Sequence, residues 1–395
     1  MSKQVVDFVN PKNLVWCRKK AGLDIPAVYK KTGWSASTKK VEAWENGEKF
    51  PSIDELKKLG QVYKKAWTLF LLKENIGQLG FMVMKDYRGS IQGADEQEKY
   101  ELTSFANEMD SRQQFLLEFA DVLKIKTSNF FGSLAQEHNP EKVAQAIIEH
   151  FQIDFDKFWK ETTRRKALNF LQEQLGERNV SVSFSSLHPK KQISLEIMRG
   201  MLVRSSRAPI IGINSAEKSV GAQIFTIFHE LTHLLTEPVN ENEIFIERIS
   251  FRNTKRKTPK ERFCDKVSAI ILIPVSILKE LEGQKITADV VEKYCKKLKI
   301  NVEPFIYRAS EYRLLQENEV DNLIEQCKKG EDQGKTNQAT ENGKKPDGGL
   351  LHLLKNGKSF TKSVNALYTE GVISYAQALG VLNTKSATFN KYVNR

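Results

Sequence analysis

The segment Ile224-Phe225-Thr226-Ile227-Phe228-His229-Glu230-Leu231-Thr232-His233-Leu234-Leu235 sets a His-Glu-x-x-His pattern in an almost unbroken apolar frame. On a helix, positions i and i+4 share a face, so His229 and His233 can present their imidazoles to one metal ion. Glu230 follows His229 by one residue, about 100° round an ideal helix. In sites of this pattern the acid reaches a metal-bound water and takes its proton. The pentapeptide alone is a weak signal, arising by chance in roughly one chain in a hundred of this length. Its flanks strengthen it. A nearly buried helix that carries two histidines and an acid must find partners for them, and a metal ion supplies one. The competing reading is a core helix with two satisfied histidines. His138, His150, His188 and His352 have no ligand-like spacing.

Two histidines leave a catalytic zinc site incomplete, because such sites use three protein ligands and keep one position open. The best source of a third is Lys260-Glu261-Arg262-Phe263-Cys264-Asp265-Lys266-Val267-Ser268-Ala269-Ile270-Ile271-Leu272-Ile273-Pro274. Pro259 stands where a helix would begin, and Phe263, Cys264, Val267, Ile270 and Ile271 give the run one apolar face. Glu261 and Asp265 are four apart and share a side. One can bind metal while the other accepts the free N–H of a ligand histidine; Glu261 is taken as ligand and Asp265 as the acceptor behind it. Spacing weighs this evenly against two ordinary first-turn acids favoured by the helix dipole. Glu237 and Glu247 are also within reach.

Ahead of these helices the period changes. Val180, Val182 and Phe184 alternate with Ser181 and Ser183, the pattern of a half-buried strand. Ile193-Ser194-Leu195-Glu196-Ile197 repeats it, and Pro209-Ile210-Ile211-Gly212-Ile213-Asn214 reads as a third, more buried strand. A small sheet leading into the His-Glu-x-x-His helix, with helices on either side in sequence, makes the class α+β.

The chain has 395 residues, enough for two or three domains. No apolar run is long enough to span a bilayer, and Met1–Asp7 lacks a signal pattern, so a cytoplasmic protein without membrane association is expected. Cys17, Cys264, Cys295 and Cys327 form no Cys-x-x-Cys pair, which argues against a disulfide framework or a cysteine zinc cluster. Net charge is +12, and residues 1–80 hold fifteen Lys and Arg against eight Asp and Glu, leaving +7 of it there. That asymmetry suits a surface facing double-stranded DNA.

Residues 11–75 read as short helices separated by turn signals. Asn10-Pro11 opens the first, Asp24 caps one from Ile25 to Thr32 that ends at Gly33, another runs near Thr38 to Trp44, and Pro51-Ser52-Ile53-Asp54-Glu55 starts the last. This suits a helix-turn-helix module. A solvated helical bundle used for homodimerisation is the bland alternative. The division expected is 1–80 for this unit, 81–175 for a mostly helical connector, 176–327 for the metal-site domain, 328–349 for a flexible linker poor in apolar residues, and 350–395 for a small helical tail. Phe360, Val364, Leu367 and Leu379 are the tail's core candidates. Ile300-Asn301-Val302 sits in a second stretch with helix-turn-helix-like spacing.

Two resemblances follow from these residues. Gly22-Leu23, Val41-Glu42-Ala43-Trp44-Glu45-Asn46-Gly47 and Pro51 with its Leu-rich helix resemble the XRE (lambda-repressor/Cro-like) helix-turn-helix, although the stretch from Gly33 to Trp44 is longer than usual. Thr38, Lys39 and Lys40 in that longer stretch become the candidates for DNA contact. The second resemblance rests on Phe225 to Leu235, Glu261-Arg262-Phe263-Cys264-Asp265 and Leu272-Ile273-Pro274, supported by Met198-Arg199-Gly200 and Pro209–Asn214. Together they are similar to the ImmA/IrrE metallopeptidases, with Asp86-Tyr87-Arg88 like the junction between the two parts. The likeness implies a zincin-like domain in which His229, His233 and Glu261 bind Zn2+ and Glu230 is the catalytic base. It also implies that the segment around Ile300 packs on the peptidase. Val267-Ser268-Ala269 departs from the family's usual Phe-Ala-Ala. Known members cleave an XRE-type repressor partner and so release phage, mobile-element or stress genes, and others sit in toxin–antitoxin pairs. The expectation is therefore a regulatory zinc endopeptidase acting on a repressor or antitoxin-like protein. The alternatives are a DNA-binding regulator or antitoxin with a non-catalytic peptidase-like domain, and a pure protein–protein module.

Overall fold

The computed structural model of this chain describes residues 9–63, 65, 67–71, 83–86, 96–188, 191–239, 243–247, 258–334 and 355–393. Met1–Asp7, Tyr87, Arg88, His352 and the stretch 335–349 lie outside the described residues. Near the N-terminus, local chemistry sets each boundary. The Asn10 side chain accepts from the Lys12 N–H at 3.1 Å and Pro11 takes the first turn of α1 (Pro11–Lys20). Asp24 accepts from the Ala27 N–H at 2.7 Å to open α2 (Ile25–Thr32), which stops at Gly33 with φ 69°. The helix expected near Thr38 to Trp44 is divided. Thr38 Oγ1 donates to Ser35 O at 2.7 Å within a 3-10 turn, Ala36–Thr38, and Lys39 takes φ 44° before α3 (Lys40–Glu45) begins. With α4 (Ile53–Tyr63) these helices bury Leu14, Val28, Val41, Trp44, Leu56 and Leu59. Arg18 ties α1 to α3 through two bonds to Glu45, at 2.7 and 2.8 Å.

A strand, β1 (Val83–Asp86), follows within the stretch read as mostly helical. Then come α5 (Glu96–Glu118), α6 (Pro140–Phe151), α7 (Phe155–Lys160) and α8 (Arg164–Gly176). The sheet is completed by β2 (Ser181–Phe184), β3 (Gly200–Val203), β4 (Ile210–Ile213) and, after α9 (Val220–Thr236), β5 (Glu243–Glu247). Its order is β1-β5-β3-β4-β2. β3 runs antiparallel to β4 and β5, while β1 and β2 lie parallel to β5 and β4.

Two strand expectations need correction. Ile193–Ile197 is not a strand. The Ile197 N–H donates to Ser194 O at 3.0 Å, and Asn214 Nδ2 donates to Ile193 O and Met198 O at 2.8 and 2.7 Å, so the segment is a turn. Ile193 and Ile197 are buried all the same, one at each end of that turn. β2 is buried along its whole length instead of on one side.

The second correction has a structural cause: the sheet is covered on both faces. On one face Leu202, Ile211 and Ile213 join α8, α9, α10 (Pro259–Leu272), α11 (Val275–Glu280), α12 (Ala288–Leu298), α13 (Val302–Glu311) and α14 (Glu317–Gly334) in one core. The stretch around Ile300 belongs to this core, with Leu298, Ile300 and Phe305 buried, and α14 extends through residues 328–334 of the expected linker. On the reverse face Met201, Val203 and Ile210 meet Phe105 and Met109 of α5 and the tail helices α15 (Lys358–Thr369), α16 (Tyr375–Val381) and α17 (Ser386–Tyr392). Phe360, Val364 and Leu367 are buried there, and Leu379 is half-buried.

The tail also closes the β2 edge. The Phe184 N–H donates to Lys355 O at 2.8 Å, and Ser183 Oγ donates to Asn356 O at 3.2 Å. The buried Asn356 side chain accepts from Arg112 Nη2 of α5 at 2.6 Å and donates to Leu382 O at 2.9 Å.

Candidate metal centre

Two crossing helices build the site. α9 is opened by the Ser219 side chain, which accepts from the Ala222 N–H, and carries apolar residues on all sides; its residues from Gly221 to Leu235 are buried or nearly so. α10 is opened by Thr258, whose Oγ1 accepts from the Glu261 N–H at 3.2 Å, with Pro259 in the first turn. The cap places Glu261 in the first turn of α10, directly over the α9 histidines.

The imidazoles of His229 and His233 converge, with their Nε2 atoms 3.1 Å apart. Glu261 closes the group, its Oε2 lying 3.3 Å from His229 Nε2 and its Oε1 3.5 Å from His233 Nε2. Donors each about 2.0–2.1 Å from a tetrahedral zinc sit about 3.4 Å from one another, so the three side chains have the spacing such an ion needs. The outer ring nitrogens are also engaged. His229 Nδ1 lies 3.0 Å from Asp265 Oδ1, and His233 Nδ1 lies 2.6 Å from Glu237 Oε1. A carboxylate only accepts, so each pairing places a proton on Nδ1 and leaves Nε2 as the inward-facing atom, free to bind a metal once it gives up its own proton. Cys264 belongs to the neighbourhood too: its Sγ and the ligand atoms of His229 and His233 all lie within 4.8 Å of one another, a second donor set able to hold a metal.

Glu230 supplies the strongest sign that something is meant to bind. Its residue is fully buried, and neither carboxylate oxygen has a hydrogen-bond partner. An unsatisfied buried carboxylate costs several kcal/mol and calls for a ligand, a water or a proton. Burial raises its pKa to about 8, with Glu261 pushing the same way and His229 opposing. Burial pushes the other way on the histidines. For His229 the bonds to Asp265 and Glu261 prevail and raise its pKa to about 10, while for His233 burial wins and lowers it. Burial would raise the pKa of Glu237, but the bond to His233 and the charges of Arg204 and Lys260 hold it far below the carboxylate range.

Of the residues singled out from sequence, His229, Glu230, His233, Glu261 and Asp265 are brought together. Glu237, considered only as an alternative ligand, instead backs His233; of Glu247 only the backbone is described. The signal for Glu237 was present in the spacing, because it lies four residues beyond His233, although it stands just past the end of α9 in extended backbone. Gly200 had no such signal. A Cβ there would sit 2.1 Å from Glu230 Oε1 and 2.7 Å from Thr226 Cγ2, so the missing side chain makes the room in which the Glu230 carboxylate lies.

Thr38, Lys39 and Lys40 are all in the N-terminal unit. Lys39 is exposed, while Lys40 Nζ is held 2.9 Å from Glu55 and 3.8 Å from the Trp34 ring centre, so its charge is spent inside the unit. A cavity of about 330 Å³ between α5, α8 and α15, lined by Glu173, Lys358 and Lys362 among others, shares no residue with the centre.

Residues 177–309 match the family model Peptidase_M78, the IrrE N-terminal-like domain, which supports an ImmA/IrrE-type metallopeptidase. The matched span contains every residue of the centre. No curated protein and no solved structure matches the chain.

Proposed function

We propose that this chain is a zinc-dependent regulatory endopeptidase whose substrate is a repressor or antitoxin-like protein. The observation that carries the reading is the buried, partnerless carboxylate of Glu230 beside three converging donors. His229 and His233, through Nε2, and Glu261 would hold Zn2+. When bound, zinc would supply Lewis acidity, making a water more acidic and polarising the scissile carbonyl. Glu230 then takes the proton of the attacking water and returns it to the leaving amine. Asp265 and Glu237 keep the two imidazoles in the tautomer that ligation requires.

The match to a metallopeptidase family supports Glu261 over Cys264 as the third donor, as does the chemistry of a hydrolytic zinc, commonly held by two histidines and a glutamate. In this reading the N-terminal helices form an XRE-type module that brings the peptidase to double-stranded DNA or to a repressor of similar build. The exposed Ala36–Thr38 turn with Lys39 is the surface it would use.

The test pairs metal analysis with cleavage. Purified wild type should carry one zinc per chain and cut a repressor encoded beside it. Glu230→Gln should keep the zinc and lose the cutting. Retained zinc and DNA binding with no cleavage by wild type would favour the regulator with a non-catalytic domain.

A further inference from the structure

We propose that Arg204 is a positioning residue for the metal centre, acting through Glu237 to fix the His233 ring. The inference rests on the zinc-peptidase reading above and extends it to the residue just past β3. Arg204 follows β3 directly and is among the largest fully buried side chains, 2 % exposed. A buried guanidinium is a poor choice for packing, since an apolar residue of similar volume would avoid its desolvation cost. What it offers is orientation. Its Nη2 donates to Glu237 Oε2, and its Nη1 donates to Pro238 O at 3.1 Å, so one side chain grips both the carboxylate and the backbone just beyond α9.

The other oxygen of Glu237 takes His233 Nδ1 at 2.6 Å and Lys260 Nζ at 2.7 Å. Arg204 therefore decides which way the carboxylate faces. Without it, Glu237 can turn toward Lys260, which is 47 % exposed, and the His233 ring loses the fixed acceptor that selects its tautomer. The backbone cannot follow such a turn easily, because Gly132 packs against it: a Cβ at Gly132 would lie 2.9 Å from Glu237 O. His229 is held differently. Its partner Asp265 is 16 % exposed, against 4 % for Glu237, and lies on α10. The two ligand histidines are thus set by separate elements, His229 by α10 and His233 by the end of α9 held by the residue that follows β3.

The experiment measures Zn2+ affinity by competition with a chromogenic chelator in full-length wild type, Arg204→Met, Arg204→Lys, Glu237→Gln and the double variant Arg204→Met/Glu237→Gln. Each of Arg204→Met and Glu237→Gln should weaken Zn2+ binding by about 10–100-fold. The double variant should be no weaker than the worse single, because both act along one path. Co2+-loaded protein gives a readout that packing alone would not move. Wild type should show two paramagnetically shifted imidazole N–H signals, and the variants should perturb one and leave the other. Zn2+ affinity of Glu237→Gln and Arg204→Lys within twofold of wild type, with both N–H signals unmoved, overturns the proposal even if Arg204→Met fails to fold. If wild type takes up no Zn2+ at all, the function proposed above falls as well. Normal uptake with unaffected variants sinks only this inference.

Discussion

Gly200→Ala isolates the chemistry from the fold. Gly200 sits in extended β3 backbone that alanine adopts without strain, so the only change is one methyl group. That methyl carbon would lie 2.1 Å from Glu230 Oε1, 2.7 Å from Thr226 Cγ2 and 2.9 Å from Glu230 Cδ. Carbon–oxygen contacts settle near about 3.3 Å, so the carboxylate must retreat by roughly 1.2 Å. A side chain on a surface would swing aside at little cost, but Glu230 is fully buried. The overpacking should cost about 1–3 kcal/mol of stability. Moving the proton acceptor by ~1 Å should cost about 100-fold in rate. Zinc should stay, because no ligand is touched. The assay is initial cleavage of a proteome-derived peptide library followed by mass spectrometry, with zinc content and melting temperature measured on the same samples. Gly212→Ala is the control: its methyl would meet Met109 Sδ at 2.3 Å on the opposite face of the sheet, so it should lower stability and spare the rate constant. A Gly200→Ala enzyme cutting within threefold of wild type would refute the placement of Glu230 as the base.

Other consequences are open to measurement. Glu261→Gln should lose stoichiometric zinc while Cys264→Ser retains it; the reverse, read by atomic emission on dialysed protein, would make the cysteine the third donor. Zinc-free protein should become less stable as pH rises. His229 is raised from 6.5 to about 10 and Glu230 from 4.5 to about 8, so both hold extra protons in the folded state, and that stabilisation is lost as pH climbs through those folded values. Melting temperature of chelator-treated protein should therefore fall between about pH 7 and pH 10, with zinc flattening the slope; a rising curve would contradict the burial of these groups. Phe360→Ala should remove about 3–5 kcal/mol, because the ring is fully buried and packs edge-on to Phe115 at 5.9 Å. Denaturant melts would show whether the tail melts with the sheet or apart from it.

The parts of the site that lie along single helices were legible. His229, Glu230 and His233, and separately Glu261 and Asp265, are fixed in relation to each other by the helix repeat, which needs no knowledge of the fold. Glu237 was named only as a residue within reach, and its spacing from His233 cannot tell a ligand from a partner, since that depends on which ring nitrogen it meets. Gly200 and Arg204 were beyond pattern reading because their roles arise where β3 crosses α9, a contact between distant segments. Strand reading failed at Ile193–Ile197 because alternation is also produced by a turn that buries its first and fifth residues. It understated the burial of β2 because Ser181 and Ser183 look solvated, whereas the tail covers them.

The strap from Lys355 to Gly357 means that the limits of the span matching the family model are not the limits of the folding unit. A fragment cut to residues 177–309 would keep every metal donor yet present Met201, Val203 and Ile210 to water, together with a naked β2 edge ready to pair with a neighbour. The long helix of the connector and the three short ones at the other end of the chain together form the floor on which the sheet and the metal centre stand. That floor reaches further: Asn107 of the connector helix donates to Lys20 O at the end of the first N-terminal helix, so α5 touches the N-terminal unit as well as the underside of the sheet.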